Sequence, residues 1–274
     1  MNETILITGA SSGIGKMTAK YFQEKGWNVI ATMRKPDQEE ELTALENVLV
    51  APLDVQDSNS ITAAVDAGIN RFGTIDVLLN NAGYGSYGVL EATPVDKIRR
   101  QFDVNVIGLL ETTKAVLPHL RKNGKGTIIN IASMGGKITF PLGTLYHGSK
   151  FAVEGLSEAL HFELETIGIR VKIVEPGMIK TNFGGSSFDF NNDESLTEYQ
   201  PLVSTIMAAM RPMEANGSDP IIVAETIFEA ATDGTSQLRY IAGDDAKAII
   251  EQRKTNDDAT FLAGLKAQFG LSTK

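Results

Sequence analysis

The feature that most restricts the fold is an alternation of seven short β-branched runs with longer segments of helical periodicity. The runs occupy residues 4–8, 28–32, 48–53, 75–79, 127–132, 171–175 and 238–242. They are apolar on successive residues, as strands are when both faces of a parallel sheet are covered. Between the first two runs, Ile14, Met17, Thr18, Tyr21 and Phe22 fall on one helical face. Ile61, Ala64, Val65, Gly68, Ile69 and Phe72 repeat that spacing before the fourth. Such β-α units, joined by right-handed crossovers, build an α/β, Rossmann-like, doubly wound sheet.

A chain of 274 residues that is 42% apolar and 22% charged can bury a core without a disulfide or metal staple. It has no cysteine, which excludes disulfides, thiolate metal sites and a cysteine nucleophile. A net charge of −9 argues against nucleic acid or an anionic membrane as a partner, since both select basic surfaces. Met1-Asn2-Glu3 leads into a short apolar run with neither a basic segment nor a cleavage signal. No stretch approaches the roughly 20 apolar residues of a membrane span. A cytoplasmic protein is expected. With no Pro/Gly/Ser linker and no internal repeat, residues 1–274 are expected to form one domain.

Residues 182–219 break the rhythm. They open with Phe183-Gly184-Gly185-Ser186-Ser187 and reach a helical stretch at 202–210. Rich in Phe and Met rather than polar, this insertion is expected to act as a substrate lid. Residues 244–274 read as a C-terminal extension of one or two helices.

The first run leads into Thr8-Gly9-Ala10-Ser11-Ser12-Gly13-Ile14-Gly15, and a helix follows at once. Glycines let backbone approach a pyrophosphate, while the helix N-terminus offers free amides and a positive dipole end. The spacing Gly-x3-Gly-x-Gly differs from the general dinucleotide fingerprint, and no Gly-Lys-Ser/Thr closes it, so ATP chemistry is disfavoured. An NAD site places a carboxylate at the end of the second strand; an NADP site places Arg there. Here that strand ends Met33-Arg34-Lys35. Arg34 can grip a 2′-phosphate bidentately and Lys35 adds charge, so NADP(H) is expected over NAD(H).

Tyr146 and Lys150 are four residues apart, side by side on one helical face. A free phenol, with a pKa near 10, exchanges protons poorly at neutral pH. A neighbouring ammonium is expected to lower that pKa and make Tyr146 a usable general acid/base. Ser133, at the end of the fifth run, is placed to hydrogen-bond an oxygen on which charge develops.

Thr8-Gly9-x3-Gly13-x-Gly15, Asn80-Asn81-Ala82-Gly83, Asn105, Ser133, Tyr146-x3-Lys150 and Pro176-Gly177 together resemble the short-chain dehydrogenase/reductase superfamily. The matches run in order from residue 4 to residue 181, and 238–243 resembles the family's last strand. The resemblance implies a seven-stranded parallel sheet of order 3-2-1-4-5-6-7 with helices on both faces. It implies an Asn-Ser-Tyr-Lys tetrad: Tyr146 donates the proton, Lys150 also holds the nicotinamide ribose, Ser133 orients the carbonyl and Asn105 anchors a relay water. Asp54 and Val55 would lie beside the adenine and Asn81 near its ribose. Ala82, Gly83, Pro176 and Gly177 belong to the same cofactor motifs, with Ile179 and Thr181 by the carboxamide. Ala132 stands where a serine is often found, and neither 182–219 nor the tail from Gly243 matches a family motif.

His147 follows Tyr146 on the helix and is expected to point away from it, toward the surface or a partner. With His119 and His161 the only other histidines, no metal cluster is visible. Asp37, Glu39, Glu40 and Glu41 are expected to be a solvated helix start. The expected function is NADPH-dependent reduction of a ketone or aldehyde. An NAD-dependent alcohol dehydrogenase working in the oxidative direction is the alternative. A non-catalytic dinucleotide sensor is disfavoured, because all four tetrad residues are present. Phe183, Phe188, Phe190, Met207 and Met210, with Tyr84, Met134, Phe140 and Leu142, suggest an apolar small-molecule substrate. Phe151, Leu156, Ala159, Leu160 and Phe162 spread over more than one helix face, which predicts a homodimer or homotetramer.

Overall fold

The first unit, β1 (Thr4–Ile7), α1 (Gly13–Glu24) and β2 (Asn28–Met33), sets the pattern for the chain. The structure is a computed structural model that describes residues 2–181 and 187–271, apart from the side chains of Glu214 and Ala215. After β2 come β3 (Val48–Pro52), α2 (Ser58–Phe72), β4 (Val77–Asn80), the short strand β5 (Gly85–Gly88) and α3 (Val95–Phe102). A π-helical turn at Asp103–Ile107 leads into α4 (Gly108–Asn123), β6 (Gly126–Ile131), α5 (Thr144–Glu165) and β7 (Ile169–Pro176). The rest holds β8 (Phe188–Asn191), α6 (Gln200–Ala215), α7 (Ile221–Thr232), β9 (Arg239–Ala242), α8 (Asp244–Thr255) and α9 (Asp258–Gln268).

Seven strands form one parallel sheet in the order β3-β2-β1-β4-β6-β7-β9. This is the expected order once β5 and β8, which pair only with each other, are set aside. Every residue of β1 is buried, and its neighbours face opposite ways. Ile5 and Ile7 pack with Ala19 and Phe22 of α1 and Val223 and Ile227 of α7. Leu6 packs with Val65, Val116, Leu120 and Leu164 from α2, α4 and α5 on the other face. Burying each such side chain stabilises the sheet by about 1.5–3 kcal/mol, which is why the runs are apolar without alternation.

Polar side chains inside this sheet must be paired. Asn80 of β4 donates to Asn130 of β6 at 2.9 Å and to Thr113 of α4 at 3.0 Å. Asn130 in turn donates to Ser157 of α5 at 2.8 Å. The chain of bonds pins α5, the helix of Tyr146 and Lys150, to the middle of the sheet. β1 lies between β2 and β4, so successive connections leave it in opposite directions. A crevice opens at the carboxyl ends of strands at such a switch point.

The expected helix at 202–210 extends over α6, and the C-terminal extension holds two helices, α8 and α9. Residues Asn182 to Ser186 of the expected lid lie outside the described residues. Among those described, no helix is long and apolar enough to cross a membrane.

Candidate active site

The glycine loop is shaped by close packing of backbone on backbone. Gly9 has a φ of 71°, and a Cβ there would stand 2.9 Å from Ala82 Cα. A Cβ at Gly15 would collide with the Gly9 carbonyl and the Asn81 amide. The Thr8 hydroxyl accepts from the amides of Asn81 and Ala82, each at 3.0 Å. Asn81 donates its side-chain amide to the carbonyls of Thr8 (2.9 Å) and Gly9 (3.1 Å). That side chain therefore holds the loop itself, although Asn81 also lines the cavity. The α1 first turn carries no acidic residue, and Ser12 makes no side-chain cap. Its positive dipole end is thus unopposed from within the helix.

A cavity of about 570 Å³ runs along the carboxyl edge of the sheet. Gly9, Ser11, Ser12, Gly13, Ile14, Arg34, Asp54, Val55, Asn81, Ala82 and Gly83 line it, as do Pro176, Gly177, Ile179 and Thr181. Ser133, Tyr146 and Lys150 line the same cavity. Arg34 is exposed at the end of β2. Lys35, also exposed, precedes a 3-10 turn and is not part of the wall, and Gly15 is packed behind the loop. The cavity, its glycine floor and the uncapped helix end together fit an extended phosphate-bearing dinucleotide.

Ser133 is buried, and its hydroxyl bonds the Tyr146 phenol while accepting from the Gly135 amide at 3.0 Å. Lys150 donates from Nζ to the Ile131 carbonyl at 2.7 Å and stands 5.9 Å from the centre of the Tyr146 ring. One expectation fails here. Burial pushes the Tyr146 phenol above its usual range, and the Ser133 hydrogen bond only partly opposes this. Burial also draws the Lys150 ammonium down to about 8, with Glu154 opposing. Loss of hydration is the largest effect at both groups. Asn105 is buried; it accepts from the Tyr84 amide at 3.0 Å and donates to the Tyr84 carbonyl at 2.9 Å and to Ser149 at 3.1 Å. Its side chain thus ties the turn after β4 to α5 and does not reach the cavity wall.

Of the apolar residues expected near the substrate, Tyr84, Met134, Phe140, Phe188 and Met210 line the cavity; Leu142, Phe190 and Met207 do not. Phe183 lies outside the described residues. Tyr87 was not foreseen. It stacks on Tyr146 (5.3 Å between ring centres, 28° between planes) and on Phe188 (5.3 Å, 29°). Its segment, Gly85-Ser86-Tyr87-Gly88, has the glycines that strands avoid, so only the lone aromatic could have signalled it. His147 also departs from expectation: it is buried, not on the surface. So does Glu39, which is buried and paired with Lys16 at 2.9 Å, not solvated.

Residues 3–192 match the family model of the short chain dehydrogenases. An uncharacterized oxidoreductase of Schizosaccharomyces pombe is 45% identical over 239 residues, 87% of this chain and 100% of its own. The 3-ketodihydrosphingosine reductase of Bacteroides thetaiotaomicron is 40% identical over 257 residues, 92% of each chain. Among solved structures, a short-chain dehydrogenase from Streptomyces avermitilis is 31% identical with a TM-score of 0.84, covering 99% of this chain and 98% of its own. ElxO, solved with NADP bound, is 29% identical with a TM-score of 0.72 over 88% of this chain and 98% of its own. A 3-ketoacyl-(acyl-carrier-protein) reductase from Brucella melitensis, complexed with NADH, is 25% identical with a TM-score of 0.74 over 89% and 98%. The chain belongs to the short-chain dehydrogenase family of oxidoreductases.

Proposed function

We propose that the protein reduces a ketone or aldehyde with NADPH, using Tyr146 as proton donor. The observation that carries this reading is the hydrogen bond between Ser133 and Tyr146, beside Lys150, in a cavity that the glycine loop also lines. When bound, the nicotinamide supplies the hydride. Ser133 bonds the substrate oxygen and holds it against the Tyr146 hydroxyl. As charge develops on that oxygen, Tyr146 gives up its proton, because an alkoxide is far more basic than a phenolate. Burial favours the neutral phenol, so Tyr146 holds a proton to give. Lys150, held on the Ile131 carbonyl, meets the ribose and stabilises the phenolate left behind.

Arg34 on the cavity wall, with Met33 rather than an acid before it, supports NADPH over NADH. Phe188 and Met210 come from β8 and α6, so residues 182–219 are read as a lid over an apolar substrate. The relative named 3-ketodihydrosphingosine reductase is a ketone reductase by name, which agrees with the direction. Phe151 and Phe162 on α5 are 45% and 68% exposed, apolar area that supports a homodimer or homotetramer. A panel of carbonyl substrates run with NADPH and with NADH tests the reading. Charge-assisted contacts to the 2′-phosphate are worth about 1.5–3 kcal/mol, so kcat/KM should favour NADPH by about one to two decades. Arg34→Ala should narrow that gap. Equal values, or turnover confined to alcohol oxidation, would refute it.

A further inference from the structure

The connection between β6 and α5, residues 132–143, carries Ser133 and Phe140 across the site with only the 3-10 turn Met134–Gly136 as regular structure. One side chain of α5 grips it. His147 is 3% exposed, and both of its ring nitrogens meet backbone of that connection. Nδ1 lies 2.9 Å from the Gly135 carbonyl oxygen, and the Phe140 amide donates to Nε2 at 2.9 Å. An amide N–H can only donate, so Nε2 is bare and the ring proton sits on Nδ1, donated to Gly135. Burial lowers the His147 pKa, which favours this neutral ring.

The imidazole fills a slot that two glycines leave open. A Cβ at Gly135 would stand 2.8 Å from Nδ1, and one at Gly143 would stand 2.6 Å from Nε2. Tyr87 and Phe140 close the slot with ring edges, centred 6.1 and 5.8 Å away. Both polar groups of Gly135 are committed: its amide donates to Ser133 Oγ and its carbonyl accepts from His147. Further along, Leu142 has a φ of 63°, and its carbonyl accepts from the Gly88 amide at 2.8 Å. A leucine persists in that left-handed conformation only where its surroundings over-determine it.

We propose, on the reading of Ser133 and Tyr146 as the reacting pair, that His147 is a positioning residue for carbonyl reduction. Its hydrogen bonds to Gly135 and Phe140 hold Ser133 against Tyr146 and keep Phe140 in the cavity wall. Without the imidazole the connection is free to shift, and a displacement of about 1 Å at a reacting group costs about 10²-fold in rate. His147→Ala should therefore lower kcat about tenfold to a hundredfold, counted per NADPH-binding site. NADPH affinity should stay near wild type, because the gripped residues are remote in sequence from the glycine loop and Arg34. His147→Asn keeps a donor for the Gly135 carbonyl and should recover part of the loss; it also serves if the alanine variant fails to fold.

The deciding measurement is a double-mutant cycle with Ser133→Ala. If His147 acts through Ser133, removing the imidazole from the Ser133→Ala enzyme should cost little further kcat. Equal losses in both backgrounds, the signature of a merely structural role, would overturn the proposal. So would wild-type kcat in both His147 variants while Tyr146→Phe is inactive. An active Tyr146→Phe enzyme would show instead that the reacting pair is misassigned, and the proposal would fall with it.

Discussion

The two ends of the cavity are built by different means. At the glycine-loop end, backbone packs on backbone: Gly9 and Gly15 against Asn81 and Ala82, bound through Thr8. At the Tyr146 end, side chains interlock: Tyr87 between Tyr146 and Phe188, and His147 between Gly135 and Phe140. On the proposed reading, the difference follows from what each end holds. A pyrophosphate needs amides and close approach, which a short glycine motif supplies locally. An organic substrate needs a wall of particular shape, which residues far apart in the chain must assemble. Asn191 shows the distance involved, donating from β8 to Ser86 of β5, 105 residues away, at 2.9 Å.

The contrast can be broken by single substitutions. The broadest effect is expected at Lys150, which on the proposed reading meets both the cofactor ribose and the Tyr146 phenol. Lys150→Met should lower turnover by at least about 10²-fold, the lower end of general acid/base effects, and weaken NADPH binding as well. Normal turnover would remove Lys150 from the site.

Next come two glycines that separate the ends. Gly15→Ala drives a methyl into the Gly9 carbonyl; overpacking of about 1–3 kcal/mol corresponds to about one to two decades in NADPH Kd. Gly88→Ala drives one into the Asn191 backbone at a φ of 129° and should part β5 from β8. It should raise KM for the carbonyl and leave NADPH Kd nearly unchanged. Fluorescence titration and steady-state kinetics on both variants check this; a shared loss in both parameters would mean that the two ends are not separable.

The smallest effect is thermal. Burial lowers the Lys150 pKa from 10.5 to about 8, so the charged ammonium disfavours folding at neutral pH. The folded chain releases this proton at lower pH than the unfolded chain does, so the Lys150 contribution to stability rises between about pH 8 and the ordinary lysine range. Without bound dinucleotide, Lys150→Met should melt a few degrees above wild type at pH 7, and the gap should close toward pH 10. A gap that widened over that range would contradict the sign of the shift.

The same contrast explains what could be read from the residues alone. The seven strands, their order and the glycine loop were legible because two-sided burial and backbone packing leave local signatures. β5 was not, since glycines disfavour a strand. Nor was β8, whose Phe-Asp-Phe-Asn alternation is too short to assign alone, before Gly85 meets Phe188 across the site. His147 was misplaced because helical spacing says where a side chain points, not that a backbone segment is folded over it. Glu39 looked solvated because its partner, Lys16, lies 23 residues upstream. The Tyr146 pKa was given the wrong direction because the spacing to Lys150 reveals a neighbour but not the depth of burial. Cavity-facing apolar residues could not be told from core ones by type, and Phe140, which touches both, shows why.

The central claim is that Tyr146 donates the proton. Tyr146→Phe removes one hydroxyl while keeping the ring stacked on Tyr87. Single-turnover reduction of a carbonyl substrate, with NADPH binding titrated on the same preparation, isolates that hydroxyl. Turnover should fall by about 10²–10⁴-fold with NADPH Kd within a few-fold of wild type. A variant that bound NADPH normally and retained more than about a tenth of wild-type turnover, against that expectation, would contradict the assignment of Tyr146 as the acid.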